Sequence, residues 1–228
     1  DEIISYILQK TNKNIKTIVF DIPNGYIEKF SKIISEARKE FPKLGIIAGN
    51  VVTAEGVRLL MDSGADGVKV GIGSGGVCDT TETTGIGYPQ LSAAIDCSLE
   101  VKKYNGFIVS DGGVKITGDI SKAFAAGSGF VMLGSLLAAH KESMAPIIRK
   151  DNKNFRELYG MSSTQAMTKH YGGVADYRTS EGKSILVEDR GPVKNTLNKI
   201  LGALRSTCTY INAKNIGEIH ENSSFIIL

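Results

Sequence analysis

The sequence predicts an α/β protein of the (β/α) barrel type, and three observations carry that prediction. Short apolar runs alternate with helical patterns, helix-to-strand connections are only three residues long, and ligand-type residues fall directly after the apolar runs. The runs are Thr17-Ile-Val-Phe20, Gly45-Ile-Ile-Ala48, Gly67-Val-Lys-Val70, Phe107-Ile-Val-Ser110 and Phe130-Val-Met-Leu133. They are rich in β-branched or aromatic residues and end near Gly, Asp or Asn, as buried parallel strands do.

The intervening segments read as helices. Ile27, Phe30, Ile33, Ile34, Ala37 and Phe41 recur at helical spacing, and Pro42 closes that helix. Thr53 suits the N-cap of a second helix running to Gly64. Pro89 opens a third, with Leu91, Ile95 and Leu99, and Asp119 to Ala126 form a fourth. Gly64-Ala-Asp66 and Gly127-Ser-Gly129 are the short returns to the next strands.

Asp21, Asn50, the loop at Cys78, Asp111-Gly-Gly113 and Gly134-Ser135 all follow strands, on the face where a β/α barrel builds its site. A doubly wound sheet would gather them at one switch point instead. A closed barrel needs eight strands in roughly 250 residues. The expectation is therefore a (β/α)8 TIM barrel, with its last five strands in this chain and three lying before Asp1. Residues 1–228 are expected to form one catalytic domain, incomplete at its N-terminus. Residues 150–190, polar and glycine-containing, read as an active-site flap or an insertion, and 194–211 resume helical patterning.

The 228 residues are 42% hydrophobic, enough for a substantial core. A net charge of +3 with dispersed basic residues argues against nucleic acid. No apolar run reaches bilayer length and no secretory pattern opens the chain. Cys78, Cys97 and Cys208 are odd in number and widely spaced, which disfavours disulfides and zinc and makes a reducing cytoplasm the expected compartment. His140, His170 and His220 show no ligand spacing and read as surface or packing residues.

The sharpest chemical signal is Cys78, in Gly71-Ile-Gly-Ser-Gly-Gly-Val-Cys-Asp-Thr80. A strand delivers the thiol into a glycine-rich loop at a pocket edge, which suits a nucleophile better than a packed structural cysteine. This loop, followed by Thr84-Gly-Ile-Gly-Tyr-Pro-Gln-Leu-Ser92, resembles the catalytic loop of the IMP dehydrogenase and GMP reductase family. Ser110-Asp-Gly-Gly113 and Phe130-Val-Met-Leu-Gly134 resemble the next two strand ends of that family. Tyr159-Gly-Met-Ser-Ser163, Ala166-Met167 and Gly172-Gly-Val-Ala-Asp-Tyr-Arg-Thr-Ser-Glu-Gly-Lys183 are similar to its reductase branch.

The resemblance implies NADPH-dependent conversion of GMP to IMP and ammonia. Cys78 would form a covalent thioimidate, with Thr80 and Glu181 moving the proton that the leaving amine requires. It places substrate at Asp111, Gly112, Gly113, Gly134 and Ser135, with Gly160, Met161, Ser162, Arg178, Thr179, Ser180, Glu181 and Gly182 over the base. It places NADPH at Asp21, Ile22, Pro23, Ile72, Gly73, Met161, Tyr177 and Arg178, and at Ser206, Thr207, Cys208 and Thr209 acting across a subunit boundary of a homotetramer. Carbonyls of Gly73, Gly75, Cys78 and Thr81 resemble a monovalent-cation loop suited to potassium; a glycine loop without an ion is the alternative. An IMP dehydrogenase, or a non-catalytic nucleotide-binding paralogue, remain alternative functions. Ser74 and Gly76 stand where the loop usually has proline and serine. Asp79 replaces a threonine, and Thr81 and Thr83 replace basic residues. The added negative charge beside Cys78 leads to the expectation of a less activated nucleophile.

Overall fold

The computed structural model describes residues 15–173 and 179–227. Five strands form one parallel sheet in chain order: β1 (Thr17–Asp21), β2 (Gly45–Val51), β3 (Gly67–Val70), β4 (Phe107–Asp111) and β5 (Phe130–Met132). Successive strands are joined through helices: α1 (Glu28–Glu40), α2 (Ala54–Asp62), a short α3 (Thr80–Thr84) with α4 (Gln90–Val101), and α5 (Thr117–Ala125). Unbroken sequential order is what consecutive barrel units produce, whereas a doubly wound sheet reverses order at its switch point. The sheet is consistent with part of a TIM barrel. All five expected strands are present.

Local chemistry explains the elements. On α1, Phe30, Ile34 and Ala37 make one buried stripe, spaced to face the sheet. Thr53 caps α2, its hydroxyl accepting the Gly56 amide at 3.3 Å. Arg38 then fastens the α2–β3 return, donating to the Gly64 carbonyl (2.9 Å) and pairing with Asp66 (2.6 Å). Asp66 in turn accepts the Ile46 amide at 2.7 Å. Ile46, Ala48, Val57, Leu60, Val68, Cys97 and Ile108 belong to one core between sheet and helices.

A one-turn helix α6 (Ser135–Ala138) follows β5. Beyond it the chain forms more than a polar flap. Strands β6 (Ile147–Lys150), β7 (Lys153–Tyr159) and β8 (Ser184–Glu188) make a separate antiparallel sheet, with α7 (Thr164–Tyr171) between β7 and β8. The polar composition of β7 hid it, because only one of its faces needs apolar residues. The available signal was Asp151-Asn152, both at positive φ, a two-residue turn that sets adjacent strands antiparallel. A final long helix α8 (Lys194–Tyr210), foreseen at 194–211, packs on α5 through Ile120, Ile200 and Leu204. No helix among the described residues is long and apolar enough to cross a membrane.

Candidate active site

The loop after β3 is tied to the ends of β2 and β4 by a small set of polar contacts. Gly71 must lack a side chain, because a Cβ there would collide with the Asp111 carbonyl. Ser74 donates to Gln90 (2.7 Å), lies 3.1 Å from the Asp111 carbonyl, and accepts the Gly113 amide at 2.8 Å. Gln90 also donates to the Val70 carbonyl (2.7 Å) and to Ser110 (3.0 Å). Gln90 thus couples three segments, although the sequence presents it only as a residue in a helix-opening motif. Ser74 serves as the hydroxyl that joins the Cys78 loop to Asp111.

At the loop's end, Cys78 and Glu181 are brought together across 103 positions of sequence. The Cys78 Sγ donates to Thr80 Oγ1 at 3.3 Å, and Thr80 Oγ1 donates to Glu181 Oε2 at 2.8 Å. Backbone contacts hold this chain in place: the Asp79 amide donates to the Glu181 carbonyl (2.7 Å) and the Glu181 amide to the Ser162 carbonyl (3.0 Å). Gly182 bridges to both Cys78 and Ser163. A thiol, a hydroxyl and a carboxylate in series form a path along which a proton can pass either way.

Asp79 does not stand beside the thiol as an uncompensated charge. Lys183 pairs with it at 2.6 Å and with Glu82 at 2.8 Å. These carboxylates, Asp79 first, hold the Lys183 ammonium above its ordinary pKa. A lysine about a hundred residues further on thus brings positive charge to this loop through space.

A second cluster lies at the ends of β1 to β4. Lys69, on fully buried β3 and 2% exposed, places its ammonium 2.7 Å from Asp21 and 3.1 Å from Asp111. Burial pulls the Lys69 ammonium down, but its hydrogen bond to Asp21 and the charge of Asp111 prevail, so its pKa lies above the usual lysine value. Asn50 donates to Asp111 at 3.0 Å and to the Gly71 carbonyl at 2.7 Å. Its Oδ1 is buried without a hydrogen-bond partner among the described residues, an acceptor that fits a donor from a bound ligand. Lys69 escaped the sequence reading because it sits inside a strand run. The signal was there: a lysine within an otherwise apolar buried strand is almost never unpaired.

Other expected site residues are arranged as follows. Ser135 approaches the Cys78 loop, lying 3.3 Å from where a Cβ on Gly76 would stand; Gly134 precedes it as the N-cap of α6. Gly112 is in contact with Ser74, and Gly113 takes positive φ. Gly160 and Gly182 pack together, Ser162 receives Glu181, Met161 is exposed, and Ser180 accepts the Thr164 amide at 3.1 Å. Thr179 is exposed, and Pro23 follows Ile22, whose amide and carbonyl bind Gly49 and Asn50. Tyr177 and Arg178 lie outside the described residues. Thr207 and Thr209 bond to Ser121 and within α8, while Cys208 and Thr209 line a surface groove of about 410 Å³. In the glycine loop, Ile72 accepts the Tyr88 amide, Gly75 accepts the Cys78 amide at 3.1 Å, and the Thr81 hydroxyl packs over Gly73 and donates to Ile86. The described residues contain no group of three His, Cys, Asp or Glu arranged to hold a metal.

The three cysteines differ sharply in environment. Cys78 and Cys208 are half-buried, whereas Cys97 is fully buried, and burial pushes its thiol up to about 12, with Asp96 and Glu55 adding to the rise. Brief iodoacetamide treatment of the native protein at neutral pH is expected to label Cys78 and Cys208 and spare Cys97. Peptide mass mapping showing Cys97 labelled as fast as Cys78 would contradict this packing.

Comparison with known proteins converges on one family. The family model described as IMP dehydrogenase / GMP reductase domain matches residues 4–228. The chain is 51% identical to GMP reductase of Phytophthora infestans, over 95% of this chain and 60% of that protein. It is 50% identical to GMP reductase 2 of Homo sapiens, over 93% and 61%. It is 52% identical to GMP reductase of Photobacterium profundum, over 92% and 60%. The chain therefore spans about 60% of the length of these curated relatives. A sequential parallel sheet with a cysteine in the glycine loop after β3, matched by one family model along nearly the whole chain, makes this protein a member of the IMP dehydrogenase / GMP reductase family.

Proposed function

We propose that this chain is the greater part of a GMP reductase, converting GMP to IMP and ammonia. The hydrogen-bonded series Cys78–Thr80–Glu181 carries the proposal. In it the thiol proton passes through Thr80 Oγ1 to the Glu181 carboxylate, and the Cys78 thiolate attacks C2 of the guanine ring, forming a C–S bond. The C2 amine takes the proton back along the same path and leaves as ammonia, so the thioimidate forms without net gain or loss of protons. NADPH, when bound, supplies the hydride that replaces sulfur at C2. Cys78 departs as thiolate and regains a proton from solvent.

The remaining residues bind and orient. Asp111, fixed by Lys69 and Asn50, is placed to accept ribose hydroxyls of the nucleotide, and Gly112, Gly113, Gly134 and Ser135 offer backbone amides to its phosphate. Asp21, held by the same lysine, and the unpartnered Asn50 Oδ1 fit the donors of a nicotinamide nucleoside. Gly73, Gly75, Cys78 and Thr81 would hold a potassium ion. We further propose that 150–190 acts as the active-site flap. Among the described residues β1 and β5 have no further strand beside them, and with exposed Val19 and Phe130 this supports closure by further strands into an eight-stranded barrel. The surface groove at Cys208 and Thr209 supports a cofactor contribution to a neighbouring subunit of a tetramer.

The test is incubation with GMP and NADPH. Loss of nicotinamide absorbance with equal release of ammonia is expected; NADH formation from IMP and NAD would establish a dehydrogenase instead. Glu181→Gln should lower kcat on the order of 10²-fold, the scale of removing one proton-transfer group, with the KM for GMP little changed. A variant at full rate would remove Glu181 from the proton path.

A further inference from the structure

We propose that Lys183 is a positioning residue, clasping the segment that carries Glu181 to the loop that carries Cys78. The assignment rests on the GMP reductase reading of this site. The ammonium of Lys183 spans Asp79 at 2.6 Å and Glu82 at 2.8 Å. Asp79 adjoins the nucleophile, and Lys183 stands two residues beyond Glu181. The clasp therefore closes over the two groups whose separation governs proton transfer.

Its two arms differ in weight. Glu82 is 75% exposed, and an ion pair so hydrated contributes little. The Asp79 side chain is only 17% exposed, and among the described residues Lys183 is the cation within ion-pair reach of it. Breaking that arm would leave a largely buried carboxylate unpaired against the loop.

The backbone in this region needs such an anchor. Gly182 meets Cys78 and Ser163 through isolated bridges, without the adjoining ladder that gives a strand pair its cooperativity. Hydrogen bonds from the Asp79 amide to the Glu181 carbonyl (2.7 Å), from the Lys183 amide to Val77 (2.9 Å) and from Thr80 to the Glu181 carboxylate (2.8 Å) join the same two segments.

The experiment compares the full enzyme with Lys183→Met, Lys183→Asp and the charge swap Asp79→Lys with Lys183→Asp. Ligand-free amide hydrogen exchange is followed over residues 77–83 and 179–183, alongside steady-state kinetics. Lys183→Met is expected to speed exchange in both segments and to lower kcat on the order of tenfold, with KM for GMP within about twofold. Lys183→Asp should be worse on both measures, and the swap should recover slow exchange and most of kcat. Unchanged exchange in Lys183→Met, or a swap no better than Lys183→Asp, overturns the clasp. Exchange requires no substrate, so a wild-type protein inert toward GMP would defeat the reductase reading while the exchange comparison still decided the clasp.

Discussion

Cys78→Ala is expected to lower GMP turnover by on the order of 10⁴-fold or more, the scale seen when a covalent nucleophile is removed. The loss follows from the chemistry. Neither Thr80 nor Glu181 is placed to form the carbon–sulfur bond, and the proton path they complete begins at the missing thiol. Binding of GMP should weaken by less than about tenfold, because the ribose and phosphate contacts proposed for Asp111 to Gly113 and for Ser135 do not use the sulfur. Intact-protein mass spectrometry with GMP alone should show an adduct on the wild type and none on the variant. Turnover retained in Cys78→Ala, or affinity unchanged in a wild type that forms no adduct, would move the protein to the non-catalytic alternative.

Lys69→Met is expected to cost about 3 kcal/mol of folding stability, the lower end for breaking a buried ion pair from one side. The lower end applies because Asp21 is more than half exposed and can rehydrate, whereas Asp111 is only 26% exposed and cannot do so fully. Adding Asp111→Asn to Lys69→Met should recover part of the loss, by removing the carboxylate left without its cation. Because the folded pKa of Lys69 is raised, its contribution is fully present below the unfolded value of about 10.4. It disappears as pH climbs through the folded value. The gap between wild type and Lys69→Met in urea denaturation should thus stay constant near neutrality and narrow only in strong alkali. A loss below about 1 kcal/mol, the size of an exposed ion pair, would show that Lys69 is not the link between the two strand ends.

The parallel strands were legible because burial on both faces demands continuous apolar runs, and short helices between them leave few ways to connect neighbours. Thr53 as a cap and Gly64 as a helix stop were legible for the same local reasons. The antiparallel sheet at 147–188 was not, since β7 mixes Lys, Asn, Arg and Glu with three apolar or aromatic residues and shows no clear period. Within the candidate site, Cys78 and Thr80 were legible through one loop, and Glu181 through its resemblance to a reductase segment. Gln90 and Lys69 were not, because a helix-opening glutamine and a strand lysine look the same in sequence whether they face solvent or a cluster of carbonyls and carboxylates.

What the sequence determined by itself is the strand–helix alternation and the glycine loop that carries Cys78, both products of short-range patterning. The charge beside that thiol was decided only in three dimensions. Read along the chain, Asp79 stands as a bare anion beside Cys78. Lys183 returns the positive charge from 104 positions away, because Coulomb interactions act through space and the fold sets the distance.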